Sequence, residues 1–129
     1  MAESIIRCTF LRNGKEVTEE TTTCCFTGRE DLISVELPDN FTWISDEEFM
    51  GCKNLTSITA KGVRHLGNYA FSGCESLAEV NFTLEKIDWV GNGVFEDCVK
   101  MPKNVFDRCI AIMAMLRNSN PEYDGIIDD

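Results

Sequence analysis

Apolar residues return along this chain at an interval far longer than the period of a helix or a strand. Phe26, Phe49, Phe71 and Phe95 are spaced by 23, 22 and 24 residues. Neighbouring positions keep the same phase. Two residues after each Phe stand Gly28, Gly51, Gly73 and Asp97; three after come Arg29, Cys52, Cys74 and Cys98; six after come Leu32, Leu55, Leu77 and Met101. Val35, Ile58 and Val80 follow three positions later in the first three units, then Leu37, Ala60 and Phe82. Ahead of the next Phe, Ile44, Leu66 and Val90 hold one position, and Phe41, Val63 and Ile87 another three residues earlier. Self-similarity of this kind predicts about four stacked units, each too small to bury its own apolar face.

Within a unit the pattern changes character. Leu55-x-x-Ile58-x-Ala60 ends with period two, so Ile58 and Ala60 face inward while Ser57 and Thr59 face outward, as in a short strand. Stacked units place such strands side by side as a parallel sheet. Asp46, Asn68 and Asn92 stand three residues before a repeat Phe. That spacing predicts capping of a short helical turn that carries the Phe, with Asp46-Glu47-Glu48 supplying acids at its positive end. The Gly after the Phe then permits a left-handed exit.

Outside the repeat, Ile6-Arg7-Cys8-Thr9-Phe10 alternates, Asn13-Gly14 is a two-residue turn signal, and Lys15-Glu16-Val17-Thr18 returns. Residues 5–22 are thus expected to form a hairpin that covers one end of the core. At the other end a helix is expected from Asn104, paired with Asp107 in a capping-box-like arrangement, with Val105, Phe106, Cys109, Ile110, Ile112, Met113 and Leu116 as its apolar stripe. Asn118 to Asp129 read as an acidic tail with little apolar pattern.

Phe-x-Gly-Cys-x-x-Leu-x-x-Ile followed by Ile/Leu-Gly-Asn-x-x-Phe resembles the BspA-type leucine-rich repeat, over about residues 24–101. The first unit departs from it at Arg29, and the last at Asp97 and in the absence of a strand pattern after Met101. The resemblance implies an interaction or adhesion protein without catalytic activity, and many relatives are surface proteins of bacteria and protists. The expected architecture is an α/β repeat solenoid. It is a short leucine-rich-repeat stack with parallel strands, an N-terminal β-hairpin cap (1–23), repeats (24–102), a C-terminal helical cap (103–117) and a flexible acidic tail (118–129).

Charge narrows the partners. The chain has 22 acidic and 12 basic residues and a net charge of −10. Residues 1–50 hold 11 acids against 4 bases, so most of the excess sits there. Such a field repels nucleic acid and anionic membranes and favours a basic partner, although a solubility role accounts for it equally. No apolar run approaches the ~20 residues of a membrane span.

The start, Met-Ala-Glu-Ser-Ile-Ile-Arg-Cys, is not a charged segment followed by an apolar one. Seven cysteines without paired spacing then imply reduced thiols in a cytoplasm. A secreted or cell-surface protein whose leader had been removed reads the same way.

Candidate chemistry is sparse. Cys52, Cys74 and Cys98 share one repeat position, which brings them together as a redox or metal group or as a buried column of small residues; zinc ligands come as close pairs, which favours the column. Cys24-Cys25 has no His or Lys nearby to activate a thiol. His65 is the single histidine, and nothing in sequence joins it to a nucleophile. Gly67-Asn68 and Gly91-Asn92-Gly93 lack the Gly-Lys-Ser/Thr of a phosphate loop. We therefore expect no enzyme, no cofactor and no metal.

Two surfaces are candidates for partner binding. Trp43, His65 and Trp89 each stand six residues before a repeat Phe and next to an inward aliphatic, so they should point outward and stack in a row. Exposed Trp is enriched at binding hot spots. The bland alternative is that the rings cover the core edge or pack on Arg64. The other surface is the outward strand face of Ser34, Glu36, Ser57, Thr59, Glu79 and Asn81.

The reading is a non-catalytic protein–protein interaction module whose partner is a protein with a basic or apolar surface. Homodimerisation through an open sheet edge is a further option. The rival is a small acidic inhibitor or nucleic-acid mimic that blocks a basic groove of an enzyme. It is motivated by Glu16, Glu19, Glu20, Glu30, Asp31, Glu36, Asp39, Asp46, Glu47 and Glu48.

Overall fold

A computed structural model describes residues 4–23 and 25–119. The strands are β1 (Ile6–Arg12), β2 (Lys15–Thr21), β3 (Leu32–Glu36), β4 (Trp43–Ile44), β5 (Ser57–Ala60), β6 (His65–Leu66), β7 (Glu79–Phe82) and β8 (Trp89–Val90), followed by the helix α1 (Lys103–Ser119). They form two sheets. The larger runs β2-β1-β3-β5-β7 and the smaller β4-β6-β8. Each of the first three repeat units gives one strand to each sheet, and these strands pair in parallel.

Backbone hydrogen bonds join successive coils on both sides of the stack. Where the chain enters the strands the later coil donates to the earlier one, Thr56 N–H to Ile33 O and Arg64 N–H to Thr42 O, both at 2.8 Å. At the end of β3, Leu37 N–H donates to Thr59 O of the later coil, also at 2.8 Å. Around the repeat Phe the earlier coil donates to the later one: Glu47 N–H to Asn68 O, Phe49 N–H to Ala70 O and Gly51 N–H to Ser72 O, at 2.8, 2.7 and 2.8 Å.

This second ladder explains why the helical turn expected at each Phe is absent. Alternate amides, those of Glu47, Phe49 and Gly51, are given to the next coil, while Glu48, Met50 and Cys52 turn back by three residues, leaving stacked turns in place of a helix. Asp46 and Asn68 accordingly do not cap their own turn. Asp46 Oδ1 accepts from Asn68 N–H and Asn68 Oδ1 from Asn92 N–H, both at 2.8 Å, so this side-chain column ties coil to coil.

The turns need left-handed backbone at two places per unit. After the Phe it falls on Gly28, Gly51 and Gly73, and in the last unit on Asp97 at φ 60°. Two residues before the Phe it falls on Glu47, Tyr69 and Gly93, a demand that the composition of the first two does not signal. Gly67 and Gly91 have another role. A Cβ on Gly67 would sit 2.6 Å from Asp46 N, and one on Gly91 2.7 Å from Asn68 N, so the coils pack backbone against backbone there.

The core is a set of columns along the stacking axis. Phe26, Phe49, Phe71 and Phe95 are buried and stacked, with centroids 5.4, 5.2 and 5.8 Å apart. Leu32, Leu55 and Leu77 form a second buried column.

At the N-terminal end, Asn13 and Gly14 both take positive φ, and the resulting hairpin pairs β1 antiparallel to β3. Ile6, Cys8 and Phe10 thereby join the core. At the other end α1 packs on β8 and buries Val105, Cys109, Ile112 and Met113. The helix starts at Lys103 rather than Asn104. Asp107 is held by Lys103 Nζ at 2.6 Å rather than by the expected Asn104 pairing. Ile110, expected in the stripe, is only partly buried. Within the span assigned to a tail, Asn118 and Ser119 continue the helix; the rest of the tail and Cys24 lie outside the described residues.

Candidate functional site

The smaller sheet consists of three two-residue strands, and its outward positions are Trp43, His65 and Trp89. Register places Trp43 opposite His65 and His65 opposite Trp89, while Ile44, Leu66 and Val90 point into the core. The rings stack nearly parallel. Trp43 and His65 have centroids 3.4 Å apart at 8°, and His65 and Trp89 are 5.9 Å apart at 3°.

The row is uneven in burial. Trp43 is 58% exposed, whereas Trp89 is partly buried and packs against the core. Arg64 does not cover the rings by cation contact. Its guanidinium pairs with Asp88 at 3.0 Å, bridging the second and third coils beside the row.

Burial of His65 lowers its pKa from the usual 6.5, with Asp46 and Asp88 pulling the other way, so the ring is neutral at pH 7. The row is therefore an uncharged aromatic surface with anionic groups beside it.

The larger sheet presents the second surface. Its register aligns Glu36, Thr59 and Asn81 in one row and Ser34, Ser57 and Glu79 in the next. Both rows run on into the hairpin, where Arg7 and Glu20 extend the first and Thr9 and Thr18 the second. Arg7 lies between Glu20 and Glu36 at 3.7 and 3.8 Å; Thr9 and Thr18 hydroxyls meet at 3.2 Å; Asn81 Nδ2 donates to Thr59 Oγ1 at 3.2 Å.

Of these four hairpin residues, sequence singles out only Glu20, as one of the acids of the rival reading and not as part of this face. The alternation of Ile6, Cys8 and Phe10 does put Arg7 and Thr9 on the outward side, but the pairing of β1 with β3 is a contact made by folding. The result is a polar face on which Arg7 is shared between Glu20 and Glu36.

Chemistry at the thiols is disfavoured by where they sit. Cys52, Cys74 and Cys98 each donate Sγ–H to the carbonyl of the preceding unit's Phe, at 3.0, 3.1 and 2.9 Å, and so link adjacent coils. Burial pushes the Cys8 and Cys52 thiols up to about 11 and Cys109 to about 12. The neighbouring Cys98 thiol, and then burial, raise the pKa of Cys74. Thiols held protonated are poor nucleophiles and poor ligands.

Arg29, which takes the cysteine position in the first unit, instead lies over the Phe10 ring at 4.6 Å and chelates Asp31 at 3.0 Å. The hydrogen bonds from Arg29 hold the Asp31 carboxyl below its ordinary pKa. Cys25 is exposed. Among the described residues no group of His, Cys, Asp and Glu is arranged to hold a metal ion, and no helix is long and apolar enough to cross a membrane.

A cleft of about 310 Å³ opens between α1 and the Glu85–Asp88 segment, lined by Ile87, Arg108, Ile112, Met115 and Leu116. Asp88 connects its rim with the end of the aromatic row.

Comparison with known families gives a match to the BspA type Leucine rich repeat region over residues 15–114, in six copies. The match starts within the hairpin and ends inside α1, and is wider than the stretch from 24 to 101 that the motif marks. Among solved structures the chain is similar to a T. pallidum leucine-rich repeat protein, with 27% identity and a TM-score of 0.49, over 54% of this chain and 35% of that one. The chain thus spans about a third of that protein's length. No curated protein matches.

Proposed function

Because the chain belongs to the BspA-type leucine-rich repeat family, we propose that it is a non-catalytic protein-interaction module that binds its partner through the row of Trp43, His65 and Trp89. Leucine-rich repeat domains serve as protein-interaction scaffolds, and the site carries the rest. The observation on which the reading rests is the exposure of Trp43, 58% in a ring already stacked on His65. Trp89 covers core at one end of the row; Trp43 projects at the other, where the smaller sheet ends. A large rigid ring held by its neighbour loses little freedom on binding, which is why such rings anchor interfaces. The polar strand face is a secondary contact area.

The acidic-mimic reading has less support. Glu19, Glu20, Glu36 and Asp31 pair with Arg12, Arg7 and Arg29, and Glu48 is buried. A phosphate mimic needs unpaired charges in a row.

Affinity capture from lysate with wild type beside a Trp43→Ser/Trp89→Ser double variant tests the proposal. A partner kept by wild type and lost by the folded variant supports the row. One held equally by both, and released by moderate salt, refutes it and moves the site to the acidic N-terminal region.

A further inference from the structure

The two tryptophans of the row stand in unlike electrostatic settings, and the difference points to the chemistry of what binds. Trp43 has one ring face against His65. Its strand, β4, is the outer strand of the smaller sheet. The hairpin that continues the larger sheet beyond β3 has no counterpart here, and among the described residues no ring or cation is seated on the other Trp43 face.

The chain around this ring is anionic. No Lys or Arg occurs between Arg29 and Lys53, while Asp39, Asp46 and Glu47 lie within four residues of Trp43. All three are exposed, and none has a cationic partner among the described residues. Asp46 acts on the neighbouring His65 ring through space, which places its charge beside the row. At the other end Trp89 is partly buried, with Lys86 nearby in sequence and Asp88 already paired to Arg64.

An indole face attracts cations through its quadrupole, most strongly where fixed anions add to the field. We propose that the open face of Trp43 receives an arginine or lysine side chain from a basic segment of the partner protein, drawn there by Asp39, Asp46 and Glu47. This rests on the aromatic row being the binding site and adds which of its ends selects the ligand, and by what charge. Trp89 contributes apolar area.

The test uses the full chain and a defined probe, an acetylated and amidated hexapeptide of alternating Gly and Arg, beside the same peptide with citrulline, which keeps the shape and removes the charge. Binding is followed by tryptophan fluorescence and calorimetry at low salt. The Arg peptide is expected to bind at least about fivefold more tightly than the citrulline peptide. Trp43→Leu should abolish that preference, while Trp43→Phe, which keeps a π face, should retain most of it. Asp46→Asn should weaken the Arg peptide and flatten its salt dependence. It should also fold normally, since Asn68 stands at this position in the next unit and its Oδ1 accepts the same kind of bond.

Equal binding of both peptides, lost in Trp43→Leu, would overturn the cation preference and leave the row as the interaction site. Arg-peptide binding unchanged in Trp43→Leu would overturn the seat itself. A Trp43-dependent dimer in sedimentation without peptide would also overturn it, by placing a second copy on that face.

Discussion

Two aromatic columns run along this stack, one inside and one outside, and the same repeat produces both. Phe26, Phe49, Phe71 and Phe95 stack at 5.2 to 5.8 Å and are all buried. Trp43, His65 and Trp89 stack at 3.4 and 5.9 Å on the opposite side of their strands, and the first of them is mostly exposed. Ring stacking is a by-product of in-register coils in either case. The inner column is fixed by what surrounds it; the outer one is held by its own members and by the core against Trp89, and it leaves Trp43 open to solvent. Stacking by itself therefore says little about role, whereas burial separates the two.

The largest expected effect breaks the inner column. Phe71 touches rings on both sides, and Phe71→Ala should cost about 3–5 kcal/mol in urea or thermal unfolding. Trp43→Ala should cost about 0.5 kcal/mol or less, because it deletes contacts with one neighbour in water. Comparable losses would show that the outer row is structural.

Next comes the backbone contact that brings the outer rings into line. Gly91→Ala forces a Cβ to 2.7 Å from Asn68 N, beside Val90 and Trp89. We expect about 1–3 kcal/mol of destabilisation, together with a changed Trp89 emission from the displaced ring. An unchanged spectrum and melting temperature would mean that the coils can separate there without disturbing the row.

Asp97→Gly restores the glycine that the three preceding units carry and relieves a left-handed non-glycine residue at φ 60°. It should raise stability by about 0.5–1 kcal/mol while leaving the Phe column and the outer row unaltered. A loss of stability would indicate that the Asp97 side chain contributes a contact worth more than the strain.

The smallest effect belongs to His65. Its folded pKa lies below the usual 6.5, so as pH falls the unfolded chain takes up the proton first. The His65 contribution is full above about 6.5, declines as pH falls from there to the folded value, and is flat below it. Chemical denaturation of wild type against His65→Phe across this window isolates it. Identical pH slopes would show that burial in the row leaves the imidazole unperturbed.

Much of the scaffold could be read from sequence because every unit repeats the signal. Phe49 and Phe71, Leu55 and Leu77, Ile44 and Leu66 each report the same inward position, and in-phase repetition removes the ambiguity of any short apolar run. The outward row followed from the same phase, since Trp43, His65 and Trp89 each adjoin an inward aliphatic.

The turns were read less well. Asp46 and Asn68 have the composition of helix caps, yet each side-chain oxygen serves the backbone of the following coil. Glu47 and Tyr69 carry no mark of the left-handed backbone they adopt. The continuation of the polar face onto Arg7 and Thr9 was likewise not visible, because it depends on antiparallel pairing between the hairpin and a strand of opposite origin.

The sequence by itself determined the repeat, the inward and outward sides of each strand, and the family that those positions identify. These are properties of one coil, set by the alternation of extended chain and the burial of apolar side chains, and repeated until they are unmistakable. The tertiary structure decided what each coil asks of its neighbour. It turned would-be helical amides into bonds between coils and made Gly67 and Gly91 contact points. It also seated Trp89 on the core while leaving Trp43 open. Those outcomes depend on atoms about 22 residues apart in the chain and a few ångströms apart in space, where local preference gives way to the partner that stacking supplies.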